Sequence, residues 1–350
     1  MADMKADILV RKAGRVGHVT LNRPDALNAL SADMAVALEQ ALDGWRTDDD
    51  VALVLIDAVG EKAFCAGGDI ADLYARGLAK DYEYGRDFWR QEYRLNLKIA
   101  EFPKPIVVFM QGFTMGGGVG VACHASHRVV CESSKIAMPE CGIGLIPDVG
   151  GSFLLGRNAG EVGTYLGLTG TRMGADDAIY AGFADIFVPK AAWDDLKVGL
   201  TRTADVSLIE QAAQPAPAGE LAGQVDEINQ LFAAETLIEI AENLGNSGTE
   251  FAQATVKRLA KPSPLAMSCA LSTIRAARTG GLADALQREY RFTYRAQDQG
   301  DFIEGIRAQI IDRDFAPKWK HARLDVPQDD IDAMLADLGP NEWTQTGTTT

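Results

Sequence analysis

Short apolar runs alternate with longer segments in which apolar residues return every three or four positions. The runs at 8–11, 18–21, 51–57, 106–111 and 127–131 are compact and bounded by polar or turn-forming residues, which predicts strands. Between them, 31–45 and 87–102 carry the helical period, and Ser31 is a good N-cap for the first. Strands separated by helices predict a mixed α/β core rather than a sandwich or a bundle. From about residue 190 only helical stripes follow, at 191–204, 224–232, 235–244, 264–277, 282–296 and 302–311, with a loop QPAPAG at 214–219. Such stripes form core, and no chemistry is assigned to them. The pattern divides the chain into a core over 1–190, a helical C-terminal region over 191–340 and a flexible polar tail over 341–350.

Two glycine-rich stretches interrupt the first part, FCAGGDI at 64–70 and QGFTMGGGVG at 111–120. Glycine lets backbone approach a ligand without a Cβ in the way, and a helix opening at the second run would add unpaired N–H groups at its positive end. Bare N–H groups aimed at one atom form an oxyanion hole. Downstream, MPECGIGLIPDVGG at 138–151 places Glu140 and Asp148 on a loop punctuated by Gly and Pro. They lie too far apart for one helical turn, but a bent loop brings both to one substrate. Donors with nearby acids point to chemistry on a carbonyl.

With GHVTLNRPDALNAL at 17–30, these stretches resemble the crotonase (enoyl-CoA hydratase/isomerase) superfamily over residues 8–190, and 301–322 extends the similarity toward the C-terminus. The resemblance implies a crotonase-like spiral of ββα turns with a helical C-terminal region, and an acyl-CoA substrate. It places the two backbone donors at Gly68 and Gly117, lines the substrate with Ala66, Gly67 and Asp69, and makes Glu140 the principal reactive carboxylate. Where hydratases of the superfamily carry their first glutamate, this chain has Gly120, which has no side chain to move a proton. Asp148 and Glu92, in RQEYRLN, match instead a hydrolase branch acting on a short branched 3-hydroxyacyl-CoA, 3-hydroxyisobutyryl-CoA above all, as in valine breakdown. A hydratase or isomerase using Glu140 alone and a non-catalytic acyl-CoA-binding protein are the alternatives.

Glu140 would either deprotonate water or attack the acyl carbon itself, and Asp148 would bind the acyl hydroxyl or set the protonation of Glu140; one of two neighbouring acids should have a raised pKa. Glu92 sits on a strongly helical segment, where glutamates usually face water. Lys62 and Arg23, beside the first motifs, are candidates for the coenzyme A phosphates.

Composition narrows the classes. The 350 residues, 47% hydrophobic, suffice for a sizeable core, and a net charge of −15 argues against nucleic-acid or anionic-membrane partners. The N-terminal stretch lacks signal-peptide features, and no apolar run approaches the roughly 18 residues of a membrane span. Five cysteines without CxxC spacing indicate neither a disulfide framework nor a zinc site, and Cys65 and Cys141 read as packing residues. A reduced, cytoplasmic protein is expected. His124 and His127 form an HxxH pair with no third ligand at a telling distance, and neither glycine run fits a dinucleotide or Walker A pattern. No metal and no cofactor is expected, coenzyme A being part of the substrate. A homo-oligomer is left open.

Overall fold

The computed structural model describes residues 6–345. Two compact units interleave along the chain. The first comprises the chain up to Gly68, Arg94–Ala137 and Arg172–Ala222; the second comprises Asp69–Tyr93, Met138–Thr171 and the chain from Gly223 onward.

All the strands among the described residues belong to the first unit: β1 (Ile8–Ala13), β2 (Val16–Leu21), β3 (Leu53–Ala58), β4 (Ala63–Cys65), β5 (Ile106–Met110), β6 (Phe113–Met115), β7 (His127–Val130), β8 (Lys135–Ala137) and β9 (Ile186–Phe187). A six-stranded sheet runs β1-β2-β3-β5-β7-β9, and a three-stranded sheet runs β4-β6-β8. Only the β1–β2 pair is antiparallel. Three times the chain lays one strand in the large sheet and the next in the small one before leaving, as β3 and β4, β5 and β6, β7 and β8. This is the expected spiral.

The inner strands are buried along nearly their whole length, as parallel strands covered on both faces must be. Polar residues there need partners: the Thr20 hydroxyl donates to Asp57 Oδ1 at 2.7 Å, Lys197 Nζ donates to Oδ2 at 2.8 Å, and His18 lies 3.0 Å from Oδ1. Against the sheet, Leu53, Leu55, Val107, Phe109 and Val129 pack on Trp193, Leu196 and Leu200 of the helix Trp193–Thr203. The helix Ala32–Arg46 starts as expected, with Ser31 Oγ accepting from the Met34 N–H at 3.2 Å, and it buries Met34, Leu38, Leu42 and Trp45. The same helix buries Glu39. Burial alone would raise its pKa, but Arg94 at 2.7 Å and Lys98 at 2.9 Å hold it below the usual range.

The second unit is helical. The helix Pro264–Ala276 is apolar almost all round and correspondingly buried, with Ser263 as its N-cap. Helices Leu221–Leu231, Leu237–Ser247 and Leu282–Ala296 fall on the expected stripes, and the stripe at 302–311 becomes the helix Phe302–Ile306 followed by a π-helical turn, Arg307–Ile311. Several elements are additions to the expectation. Strands β4, β6 and β8 are three residues each, too short for an alternation to register. The helix Val162–Thr169 is buried on every side except its last residue, so it shows no stripe. At the start of the expected flexible tail, Glu342 accepts from Arg291 Nε at 2.5 Å, and the buried Trp343 donates its indole N–H to the Arg90 carbonyl at 3.2 Å. Residues 346–350 lie outside the described residues.

Candidate active site

In the first unit the two glycine runs, far apart in sequence, come together. After β4 the Ala66 N–H donates to the Leu27 carbonyl at 3.0 Å, and the Gly67 carbonyl accepts from the Leu30 N–H at 2.9 Å. Gly67 has φ 123°, a conformation closed to L side chains, and Gly68 forms a parallel bridge with Leu30. In the second run Gly116, with φ 49°, caps the helix Gly117–Ala122. A Cβ on Gly118 would overlap the Cys65 carbonyl, so the glycine there is what lets the second run lie against the first. The amides of Gly117 and Gly118 open the helix, where no intrahelical acceptor exists. Gly68 and Gly117 thus belong to one rigid backbone frame.

The expected basic residues differ in circumstance. Lys62 is exposed. Arg23 is committed to the protein: its guanidinium pairs with Asp7 at 3.2 Å and donates to the Ala29 carbonyl at 2.8 Å. Asp69 stands at the N-cap position of the helix Ile70–Leu78.

The acids gather in the second unit. Glu140 opens a 3-10 turn, Glu140–Ile143, closed by the left-handed Gly144, where a Cβ would overlap the Asp301 backbone. The Ser263 N–H donates to the Cys141 carbonyl at 2.9 Å and ties the turn to the helix cap. Asp148 precedes a second tight turn in which Val149 has φ 53° and Gly150 φ 77°. Glu92 lies on the helix Tyr82–Ala100, but it is not the water-facing glutamate of a typical surface helix: it is 3% exposed, beside 5% for Glu140 and 4% for Asp148. One oxygen of Glu92 and one of Glu140 have no hydrogen-bond partner among the described residues. Buried polar atoms are normally satisfied, so the two carboxyls stand out together with their neighbour Asn96, which is also unpaired.

Burial pushes all of these acids upward. Glu140 rises well above the carboxylate range through desolvation, reinforced by the charges of Asp148, Glu289 and Glu92. Glu92 rises through desolvation and the charge of Asp148. Asp148 reaches about 7 by desolvation, restrained by a hydrogen bond that the Tyr93 hydroxyl donates to Oδ2 at 2.8 Å. Two members of the cluster were missed in the sequence. Tyr93 is wholly buried next to Glu92, and Glu289 is wholly buried with a pKa raised by desolvation to about 8. A signal for Glu289 did exist, since it interrupts an apolar stripe of Leu282, Ala285, Leu286 and Phe292 with a charge.

The cysteines are free and buried, and burial pushes the Cys141 thiol well up, as suits a packing residue rather than a nucleophile. His124 and His127 do not share a helix, since His127 opens β7. Among the described residues no group of three or more His, Cys, Asp or Glu is placed to hold a metal.

The spiral of ββα turns with its glycine frame, and the helical unit with its buried acids, have the architecture expected of the crotonase superfamily. The profile of the family described as enoyl-CoA hydratase/isomerase matches residues 16–335, and the chain belongs to that family. Within it, the chain is 37% identical to a mitochondrial 3-hydroxyisobutyryl-CoA hydrolase of Gallus gallus, over 97% of this chain and 91% of the relative. It is 40% identical to the protein of the same name from Xenopus laevis, over 95% and 90%. A solved structure described as an enoyl-CoA hydratase from Rhodobacter sphaeroides superposes with a TM-score of 0.94 at 53% identity, covering 97% of this chain and all of that one. The names of the hydrolase relatives overturn the expected cytoplasmic location, because those proteins are mitochondrial.

Proposed function

We propose that the protein hydrolyses the thioester of a short branched 3-hydroxyacyl-CoA, 3-hydroxyisobutyryl-CoA, to give 3-hydroxyisobutyrate and free coenzyme A, a step of valine breakdown. The observation that carries this reading is the near full-length match to hydrolases of that name, at 36–40% identity. The buried acids agree with it. The N–H groups of Gly68 and Gly117 receive the negative charge that develops on the thioester oxygen; loss of one such donor costs about 3 to 4 kcal/mol of transition-state stabilisation. Glu140 takes the proton of the attacking water, or attacks the acyl carbon and is released from the mixed anhydride by water. Either way the C–S bond breaks and the thiolate leaves. Asp148 holds the acyl hydroxyl or governs the charge on Glu140, and Glu92 completes the acid wall. Ala66, Gly67 and Asp69 line the acyl-CoA, and Lys62 is the better placed candidate for its phosphates.

A second reading, hydration of an enoyl-CoA, is favoured by the description of the Rhodobacter sphaeroides structure. Gly120, inside the helix Gly117–Ala122, weighs against it, because it offers no acid where a hydratase needs one. Following free thiol and enoyl absorbance together separates the two. Thiol should appear from 3-hydroxyisobutyryl-CoA with chelator present, while hydration of crotonyl-CoA stays at least about tenfold slower. Hydration as fast as thiol release makes the protein a hydratase, and chelator sensitivity reversed by a divalent ion shows that a metal takes part. No nucleic-acid partner is proposed for a chain of net charge −15, and no helix among the described residues is long and apolar enough to cross a membrane. Sedimentation decides whether the protein is a homo-oligomer.

A further inference from the structure

We propose that Glu289 is a positioning residue for Asp148, and that the helix Leu282–Ala296 is the plate on which the acid site is registered. The inference rests on the reading that Asp148 acts on the substrate.

Asp148 is followed by a valine in the left-handed region, a conformation that costs a β-branched residue about 1 to 3 kcal/mol and persists only where the surroundings enforce it. Glu289 supplies the enforcement. Its Oε2 accepts from the Gly150 N–H at 2.8 Å, and its Oε1 accepts from the Ser152 N–H at 2.9 Å and from the Ser152 hydroxyl. Both oxygens are spent on the turn, and among the described residues no lysine or arginine forms an ion pair with it. A buried carboxyl group without a cation is an expensive way to fill space. Packing alone would be met by an apolar residue, whereas holding three donors of one turn in register requires an acceptor with two oxygens.

The same helix reaches Asp148 a second time, through Tyr93. The Tyr290 ring packs edge-on against Tyr93 at 6.2 Å between centroids, and Thr293 Oγ1 lies 3.4 Å from the Tyr93 hydroxyl that donates to Asp148. Asp148 is therefore held through its turn and through a phenol, and both restraints trace to residues within four positions of each other on one helix, Glu289 to Thr293.

The test is a double-mutant cycle on the full-length enzyme, read simultaneously as free thiol and enoyl absorbance. Glu289→Gln keeps size but turns an amide N–H₂ toward donors. If it acts through Asp148, kcat falls about tenfold or more in the native background and less than about threefold in an Asp148→Asn background. Equal fold-losses in both backgrounds overturn the proposal, since a merely structural residue harms both alike. Should Glu289→Gln fail to fold, Ser152→Ala removes one donor and decides by the same cycle, with a loss of about two- to fivefold expected only while Asp148 is present. An enzyme that releases no thiol but hydrates an enoyl-CoA defeats the hydrolase reading, and the cycle run on hydration still answers for Glu289.

Discussion

In the first unit the polar groups proposed to meet a ligand are backbone amides, held by glycines and strand hydrogen bonds, and their charge never changes. In the second they are the carboxyls of Glu92, Glu140 and Asp148, all desolvated, backed by the carboxyl of Glu289 and the phenol of Tyr93. The amide frame is inexpensive to bury because its remaining groups are satisfied by sheet and turn bonds. The acid cluster is costly to bury, and on the proposed function what the cost secures is acids that titrate above the usual carboxylate range. A donor frame must be rigid; an acid cluster must be tuned.

Substitutions sharpen this contrast. Glu140→Gln removes basicity while keeping shape, so kcat should fall about 100- to 10,000-fold with little change in thermal stability. A loss below about tenfold places the reactive group elsewhere. In the frame, Gly118→Ala pushes backbone away from the Cys65 carbonyl and misplaces a neighbouring donor. A loss of about 100- to 1,000-fold is expected, with the shape of the pH–rate profile unchanged. A shifted profile would show that frame and acids are not the separate devices described. Asp148→Asn should cost about 10-fold or more on 3-hydroxyacyl substrates relative to plain acyl ones, the worth of a hydrogen bond to a charged group. Equal losses assign Asp148 to the tuning of Glu140 instead.

The smallest effect is on stability. Acids raised in the folded state keep protons that the unfolded chain has released, so their contribution is complete at low pH and is lost as pH rises through about 7 for Asp148 and about 8 for Glu289. Acids lowered by partners, such as Glu39, have delivered their contribution by about pH 5. Calorimetric Tm should therefore decline between pH 5 and 8, and the decline should flatten in Glu289→Gln. A Tm that rises across that window contradicts the assignment of these acids.

Much of the candidate site could be proposed from sequence because its residues sit in short, ordered motifs: Gly68, Gly117, Glu140 and Asp148 each stand in a stretch whose local chemistry is unusual. Glu92 was legible by position but not by environment, since a helical glutamate says nothing about which face is buried. Glu289 and Tyr93 escaped because their roles arise from contacts across the fold, such as that between Ser152 and Glu289, 137 positions apart. The large sheet was readable from its apolar runs, and the small sheet was not, its strands being shorter than any period.

That long-range clamp ties the timing of activity to synthesis. A chain emerging from the ribosome presents the glycine frame and both Glu140 and Asp148 when it is less than half made, yet the acceptor for the Gly150 and Ser152 amides arrives 137 residues after Ser152. Until then the turn lacks the Glu289 acceptor, and closing so wide a loop is a late event in folding. Between residues 148 and 289 the growing chain carries every proposed reactive group without the clamp, and on the role proposed for Glu289 its arrival is the arming step.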